Sequence, residues 1–184
     1  MRLFVAVDIE NRLKEKISAI IHELQKAHAD VKWVGIGQLH ITLKFLGELR
    51  EPDVKEIVKR LETIANGFPQ FQMGLQGVGF FGNEKYVRTV WIGVQQGNQE
   101  LAQMMKLCEQ ELGQFKKGDY EPKPHLTIGR VAAGRNRDAL LRGIQNQENR
   151  EIGTMPVRQL VLKQSVLTST GPVYTDLQTF SIKT

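Results

Sequence analysis

The chain has 184 residues, 41% hydrophobic and 24% charged, which allows a core large enough to fold without disulfides or structural metal. A net charge of +5 and a pI near 9.4 suit a polyanionic partner, while the single cysteine, Cys108, excludes an internal disulfide and fits a reducing cytoplasm. The opening MRLFVAVDIENRLKE turns charged too early for a secretory signal, and no apolar run reaches the length of a membrane span.

Residues 2–9 are one short apolar run and predict a buried strand. From about 11 to 28 the positions Leu13, Ile17, Ile20, Ile21 and Leu24 recur at three- and four-residue steps, giving a helix with one buried stripe. Residues 39–46 predict a strand. A second helix follows, with Pro52 in its first turn, Val54, Ile57, Val58, Leu61 and Ile64 on one face, and Asn66-Gly67 as its stop. Segments 70–80 and 87–95 predict two strands joined near Gly82-Asn83. A third helix runs from Asn98 to Gly113 on the stripe Leu101, Met105, Cys108 and Leu112, which makes Cys108 a packed, inert thiol. The polar, proline-bearing stretch from Phe115 to Pro124 predicts a loop, 125–131 a strand, and 136–147 a weaker helix interrupted by Gly143. Two apolar runs, 157–168 and 173–182, flank Ser169-Thr170-Gly171-Pro172 as a hairpin. This order predicts an α+β fold with mixed or antiparallel sheets, residues 1–184 forming a single domain. Two halves are visible, each with a strand, a helix and a histidine-bearing strand.

Two short segments carry the chemistry. Leu39-His40-Ile41-Thr42-Leu43-Lys44-Phe45 and Pro124-His125-Leu126-Thr127-Ile128-Gly129-Arg130 both read His, apolar, Thr, apolar. Strand alternation puts His40 with Thr42 on one face and His125 with Thr127 on one face, the apolar residues pointing the other way. If the two strands are neighbours, four polar side chains converge on one groove. One imidazole can then take a proton from an attacking oxygen while the other protonates a leaving oxygen, and the threonine hydroxyls can hold non-bridging phosphate oxygens. One such motif arises by chance; two equivalent copies using two of only four histidines point to a shared site. His22 and His28, six residues apart on or near the first helix, do not share a face and read as surface residues. Neither motif supplies carboxylates or thiolates at ligand spacing, which argues against a metal site, and no Gly-x-Ser-x-Gly is present. Strict alternation puts Phe45 on the core face. It also puts Arg130 opposite His125, unless a bulge at Gly129 intervenes. Trp33, Phe80, Phe81 and Trp91 read as core residues, whereas Tyr174 and Ser165 can rim the groove.

With these motifs the chain resembles the two-histidine phosphoesterases, and more narrowly the bacterial and archaeal RNA 2′,3′-cyclic phosphodiesterases, historically called 2′-5′ RNA ligases. The likeness runs through Arg2–Ile9, Lys32-Trp33-Val34, His40–Glu48, Val90–Val94, Pro124–Arg130 and Ser165–Tyr174. The resemblance implies a bilobal, pseudo-twofold arrangement of sheets with outer helices, the histidines facing across a central groove. It implies hydrolysis of a 2′,3′-cyclic phosphate end to a 2′-phosphate, and a reverse-type reaction in which an RNA 5′-hydroxyl forms a 2′-5′ link. His125 is then the base and His40 the acid, Thr42, Thr127 and Arg130 bind the phosphate, and neither metal nor cofactor is required. The implied partner is RNA with a cyclic phosphate end, tRNA fragments included, in the cytoplasm. Two other functions use the same scaffold: a non-catalytic RNA-binding protein, against which the intact histidine pair argues, and a phosphodiesterase for small cyclic nucleotides or ADP-ribose cyclic phosphate.

Overall fold

The structure, a computed structural model, describes residues 1–116, 121–169 and 171–184. The first elements are β1 (Arg2–Asp8), α1 (Asn11–Gln25), β2 (Val31–Trp33), a 3-10 turn at Ile36–Gln38, β3 (His40–Glu48), α2 (Glu51–Gly67) and β4 (Phe71–Asn83). Then come β5 (Tyr86–Val94), α3 (Asn98–Leu112), β6 (His125–Val131), α4 (Arg137–Asn146), β7 (Glu151–Val157), β8 (Gln159–Thr168) and β9 (Gly171–Ser181). All four helices lie where apolar periodicity places them. The expected loop after α3 falls in part, at 117–120, outside the described residues, as does Thr170 of the hairpin turn.

The strands form two sheets, one ordered β3-β1-β8-β9 and the other β2-β6-β5-β4-β7. Every strand pair is antiparallel, and the parallel contact among the described residues is an isolated bridge, Pro69 to Lys183. Two strands escape the sequence reading. β2 is only three residues long, too short for alternation to register. β7 contains Gly153 and Pro156, which weaken a strand signal; as the outer strand of its sheet it tolerates the missing proline N–H.

The halves interleave. α2 packs on β8 and β9, and α3 on β3, so both cover the four-stranded sheet. α1 packs on β7 and α4, and α4 on β4, so these two cover the five-stranded sheet. α1 and β2, which precede the first histidine strand in the chain, therefore belong with the sheet that carries β6. Leu3, Val5 and Val7 of β1, Ile57 and Leu61 of α2, Met104 and Cys108 of α3 and Leu126 and Ile128 of β6 belong to one buried cluster. Each such aliphatic side chain contributes about 1.5–3 kcal/mol on burial. Phe4, Ala6 and Val161 are equally buried yet stand outside this cluster. They alternate with Leu3, Val5 and Leu162 and occupy the opposite face of the four-stranded sheet, where they floor the groove. Behind β3, the buried Lys44 ammonium meets Glu109 of α3 at 2.5 Å and the Lys116 carbonyl at 2.7 Å, tying helix to strand. Removing one partner of such a pair costs about 3–5 kcal/mol.

Candidate active site

β3 and β6 begin on the two histidines and share one exposure pattern over their first six residues. His and Thr are half-buried, the apolar residue between them is buried, the fourth and fifth residues are both buried, and the sixth is exposed. Two consecutive buried residues break the strand alternation, and the register gives the reason. Opposite β1, Val5 pairs with Lys44 and Ala6 with Thr42, leaving Leu43 as an extra residue. Opposite β5, Val90 pairs with Gly129 and Trp91 with Thr127, leaving Ile128 extra. Each is a β-bulge three residues after its histidine, and a bulge resets the alternation by one. Arg130 is thereby returned to the face of His125 and Thr127, through a bulge at Ile128 next to the glycine that alternation singled out. The same reset corrects the reading of Phe45, which is not a core residue: it is 53% exposed and lies on the face of His40 and Thr42.

The histidine strands are not hydrogen-bonded neighbours. β3 is the outer strand of one sheet and β6 lies inside the other. They approach to within 8 Å between Cα atoms, so the shared groove forms between sheets and not on one.

Each imidazole is held the same way. His40 Nδ1 lies 2.7 Å from the Gln38 carbonyl and His125 Nδ1 lies 2.6 Å from the Lys123 carbonyl, in both cases two residues back. A carbonyl only accepts, so Nδ1 carries the proton in both rings and Nε2 is the nitrogen left for chemistry. Aromatic rings pack on both imidazoles: Phe4, tilted, and Tyr174, edge-on, stand 4.9 and 5.2 Å from His40, and Phe81 stands 4.7 Å from His125 in an edge-on contact. Burial is the largest influence on both histidines and lowers their pKa below the usual value, while the carbonyl bonds oppose it. The Arg130 guanidinium also lowers both, so one cation acts on both rings.

His40 has a charged neighbourhood that His125 lacks. Its cross-strand partner is Asp8, whose carboxylate oxygens accept from the buried Lys163 ammonium at 2.9 and 3.0 Å. Lys163 also donates to Asp176 at 2.5 Å. Burial acts to lower the Lys163 pKa, but the two carboxylates outweigh it and the net shift is upward. Asp8 favours the protonated form of His40 and Lys163 disfavours it. A cleft of about 420 Å³ opens beside this cluster, lined by Asp8, Lys14, Gln38, Lys163, Tyr174 and Asp176.

The structure thus brings His40, Thr42, His125, Thr127 and Arg130 to one groove. The hydroxyls of Thr42 and Thr127 make no hydrogen bond among the described residues, which leaves them open to a ligand. Tyr174 does rim the groove, against His40. Phe80 packs on the core, but Phe81, read from sequence as core, faces His125 instead. His22 and His28 are exposed. Sequence reasoning missed Asp8, Lys163 and Asp176; the only signal was a charged residue within each apolar run. Among the described residues no group of three or more His, Cys, Asp or Glu is arranged to hold a metal ion. No helix among them is long and apolar enough to cross a membrane.

Two bulged strands presenting matched histidines from facing sheets define a two-histidine phosphoesterase type of site. The chain belongs to the 2′-5′ RNA ligase superfamily, whose profile matches residues 13–165. It is 37% identical over 99% of both chains to a Methanothermobacter thermautotrophicus protein named RNA 2′,3′-cyclic phosphodiesterase. It is 39% identical to the Archaeoglobus fulgidus protein of the same name, over 98% of this chain and 99% of that one. Its fold is similar to the crystal structure of TT0787 from Thermus thermophilus, with a TM-score of 0.81 and 26% identity over 100% of this chain and 98% of that one.

Proposed function

We propose that this protein hydrolyses RNA 2′,3′-cyclic phosphate ends to 2′-phosphates by metal-independent acid–base catalysis between His125 and His40. The observation that carries the reading is the matched tethering of both Nδ1 atoms to carbonyls, which leaves two Nε2 atoms on one groove. The shared name of the archaeal relatives supports the substrate.

In the reaction, His125 Nε2 takes a proton from water as the water oxygen bonds to phosphorus. The P–O3′ bond breaks, and His40 Nε2 gives its proton to O3′. The products are a 2′-phosphate and a free 3′-hydroxyl, and the two histidines exchange protonation states between turnovers. His125 as base and His40 as acid is the assignment that the resemblance implies; the charges beside His40 oppose one another, Lys163 disfavouring its protonated form and Asp8 favouring it. The hydroxyls of Thr42 and Thr127, together with Arg130, stabilise the charge that gathers on the non-bridging oxygens. An RNA 5′-hydroxyl in place of water gives a 2′-5′ linkage by the same proton transfers.

Interleaving of α1 and β2 with the second sheet supports reading residues 1–184 as one two-lobed domain. A cytoplasmic setting fits a chain whose single cysteine is buried and unpaired, and tRNA fragments are fitting substrates.

The test is a short RNA with a 2′,3′-cyclic phosphate, incubated with the protein in EDTA and analysed for phosphate position. A 2′-phosphate product is expected, and His40→Ala or His125→Ala each lowers turnover by roughly 10²-fold or more. A 3′-phosphate product, loss of activity in EDTA reversed by zinc, or near-normal turnover in either variant overturns the mechanism.

A further inference from the structure

The groove does not end at the reacting phosphate. On the five-stranded sheet, Arg130 has two directly opposed partners, Lys32 of β2 and Thr89 of β5. Opposed residues share a face, so Lys32, Arg130 and Thr89 form a row across three strands on the side of His125 and Thr127.

Lys32 and Arg130 are both exposed, and neither makes an ion pair among the described residues. Two like charges on opposed positions repel one another. Elsewhere the chain pairs its groove cation, Lys163, with two carboxylates. Among the described residues no carboxylate pairs with Lys32 or Arg130, which leaves both open to an anion from outside.

The position of Lys32 says which anion. The bulge at Ile128 puts Arg130 on the face of His125 and Thr127, beside the phosphate being cleaved. Lys32 lies one strand spacing further out, about 4.8 Å. Its ammonium sits against the β8–β9 hairpin: a Cβ on Gly171 would come within 3.2 Å of Lys32 Nζ. The next residue, Pro172, accepts a 2.7 Å hydrogen bond from Gln38 Nε2, in the turn before His40. The hairpin thus spans the gap between the sheets and holds the lysine at the groove wall. In a polynucleotide, the next negative group after the cyclic phosphate is the phosphodiester that joins the terminal nucleoside to the rest of the chain. A cyclic mononucleotide has no such group.

We infer that Lys32 binds the phosphodiester preceding the cyclic phosphate, which makes the protein selective for polynucleotide ends over cyclic mononucleotides. This inference rests on the proposed activity and specifies its substrate class. The experiment compares kcat/KM for a 2′,3′-cyclic mononucleotide with that for a cyclic-phosphate-ended dinucleotide of the same terminal base. The wild-type protein should prefer the dinucleotide. Lys32→Ala should cut the ratio of the two constants roughly tenfold, the size of one lost charge-assisted contact, and Lys32→Arg should restore it. Lys55→Ala, an exposed lysine of α2, should leave the ratio intact, which separates a site from net charge. The salt dependence of dinucleotide KM should flatten by about 0.7 log unit per log unit of salt in Lys32→Ala, as for one phosphate contact on a single strand. A wild-type ratio near one, or an unchanged ratio in Lys32→Ala with turnover intact, overturns the subsite and leaves the activity standing. No turnover of either substrate by the wild-type protein overturns both.

Discussion

Lys163→Met tests how the groove tunes His40. Methionine keeps the buried stem of the side chain and removes the ammonium, with its contacts of 2.9 and 3.0 Å to Asp8 and 2.5 Å to Asp176. A charge-assisted hydrogen bond in a buried setting is worth about 1.5–3 kcal/mol. Here the carboxylates are 37% and 54% exposed and rehydrate when the lysine is gone, so the three contacts together cost about 2 kcal/mol. For a chain of this length that is a fall in Tm of about 4–8 °C. The effect on chemistry has a definite sign. Lys163 lowers the His40 pKa and Asp8 raises it. Removing the lysine abolishes the first influence and frees the second, so the His40 pKa rises. A general acid governs the alkaline limb of the pH–rate profile, because activity falls as it loses its proton. The alkaline limb of kcat/KM should therefore move to higher pH in Lys163→Met while the acid limb stays in place. Stopped assays on a cyclic-phosphate RNA across pH 4.5–9, with thermal melts of both proteins, read both effects. Movement of the acid limb instead makes His40 the base and reverses the assignment. No movement of either limb refutes the electrostatic account of the cluster.

For the unmodified protein, both histidines are lowered from 6.5, chiefly by burial, so the bell in kcat/KM should peak on the acid side of that value; limbs that both lie above neutrality would contradict the burial argument. Gly129→Ala should destabilise the fold by about 1–3 kcal/mol, since a Cβ there would meet Val31 Cγ1 at 2.7 Å and Trp33 Cε3 at 2.9 Å. Its denaturant midpoint should drop and its turnover fall as the bulge that aims Arg130 is disturbed; unchanged values of both would show that the strand has room. Cys108 is fully buried, with its thiol pushed up to about 12, and should resist iodoacetamide at pH 8 until urea is added; rapid modification of the native protein would place it elsewhere.

The sequence by itself determined whatever depends on neighbours along the chain. Stripes such as Ile57, Leu61 and Ile64 specify helices because side chains three and four apart share a helix face. The two His-x-Thr segments specify a polar face on each strand for the same kind of reason, with a period of two. The interruption of that period was only half legible: the glycine before Arg130 hinted at a bulge, whereas Leu43-Lys44-Phe45 has no glycine and reads as unbroken alternation. A bulge is set by the register against the partner strand, β1 or β5, which the segment itself does not contain. Tertiary structure alone decided the rest. It separated β3 and β6 into two sheets and turned them toward each other. It also gathered Asp8, Lys163 and Asp176, from the two ends of the chain, beside one histidine. Such groups meet because burying Phe4, Ala6 and Val161 draws β1 and β8 together in one register, and a register between distant strands is fixed by packing across the fold and by no local pattern.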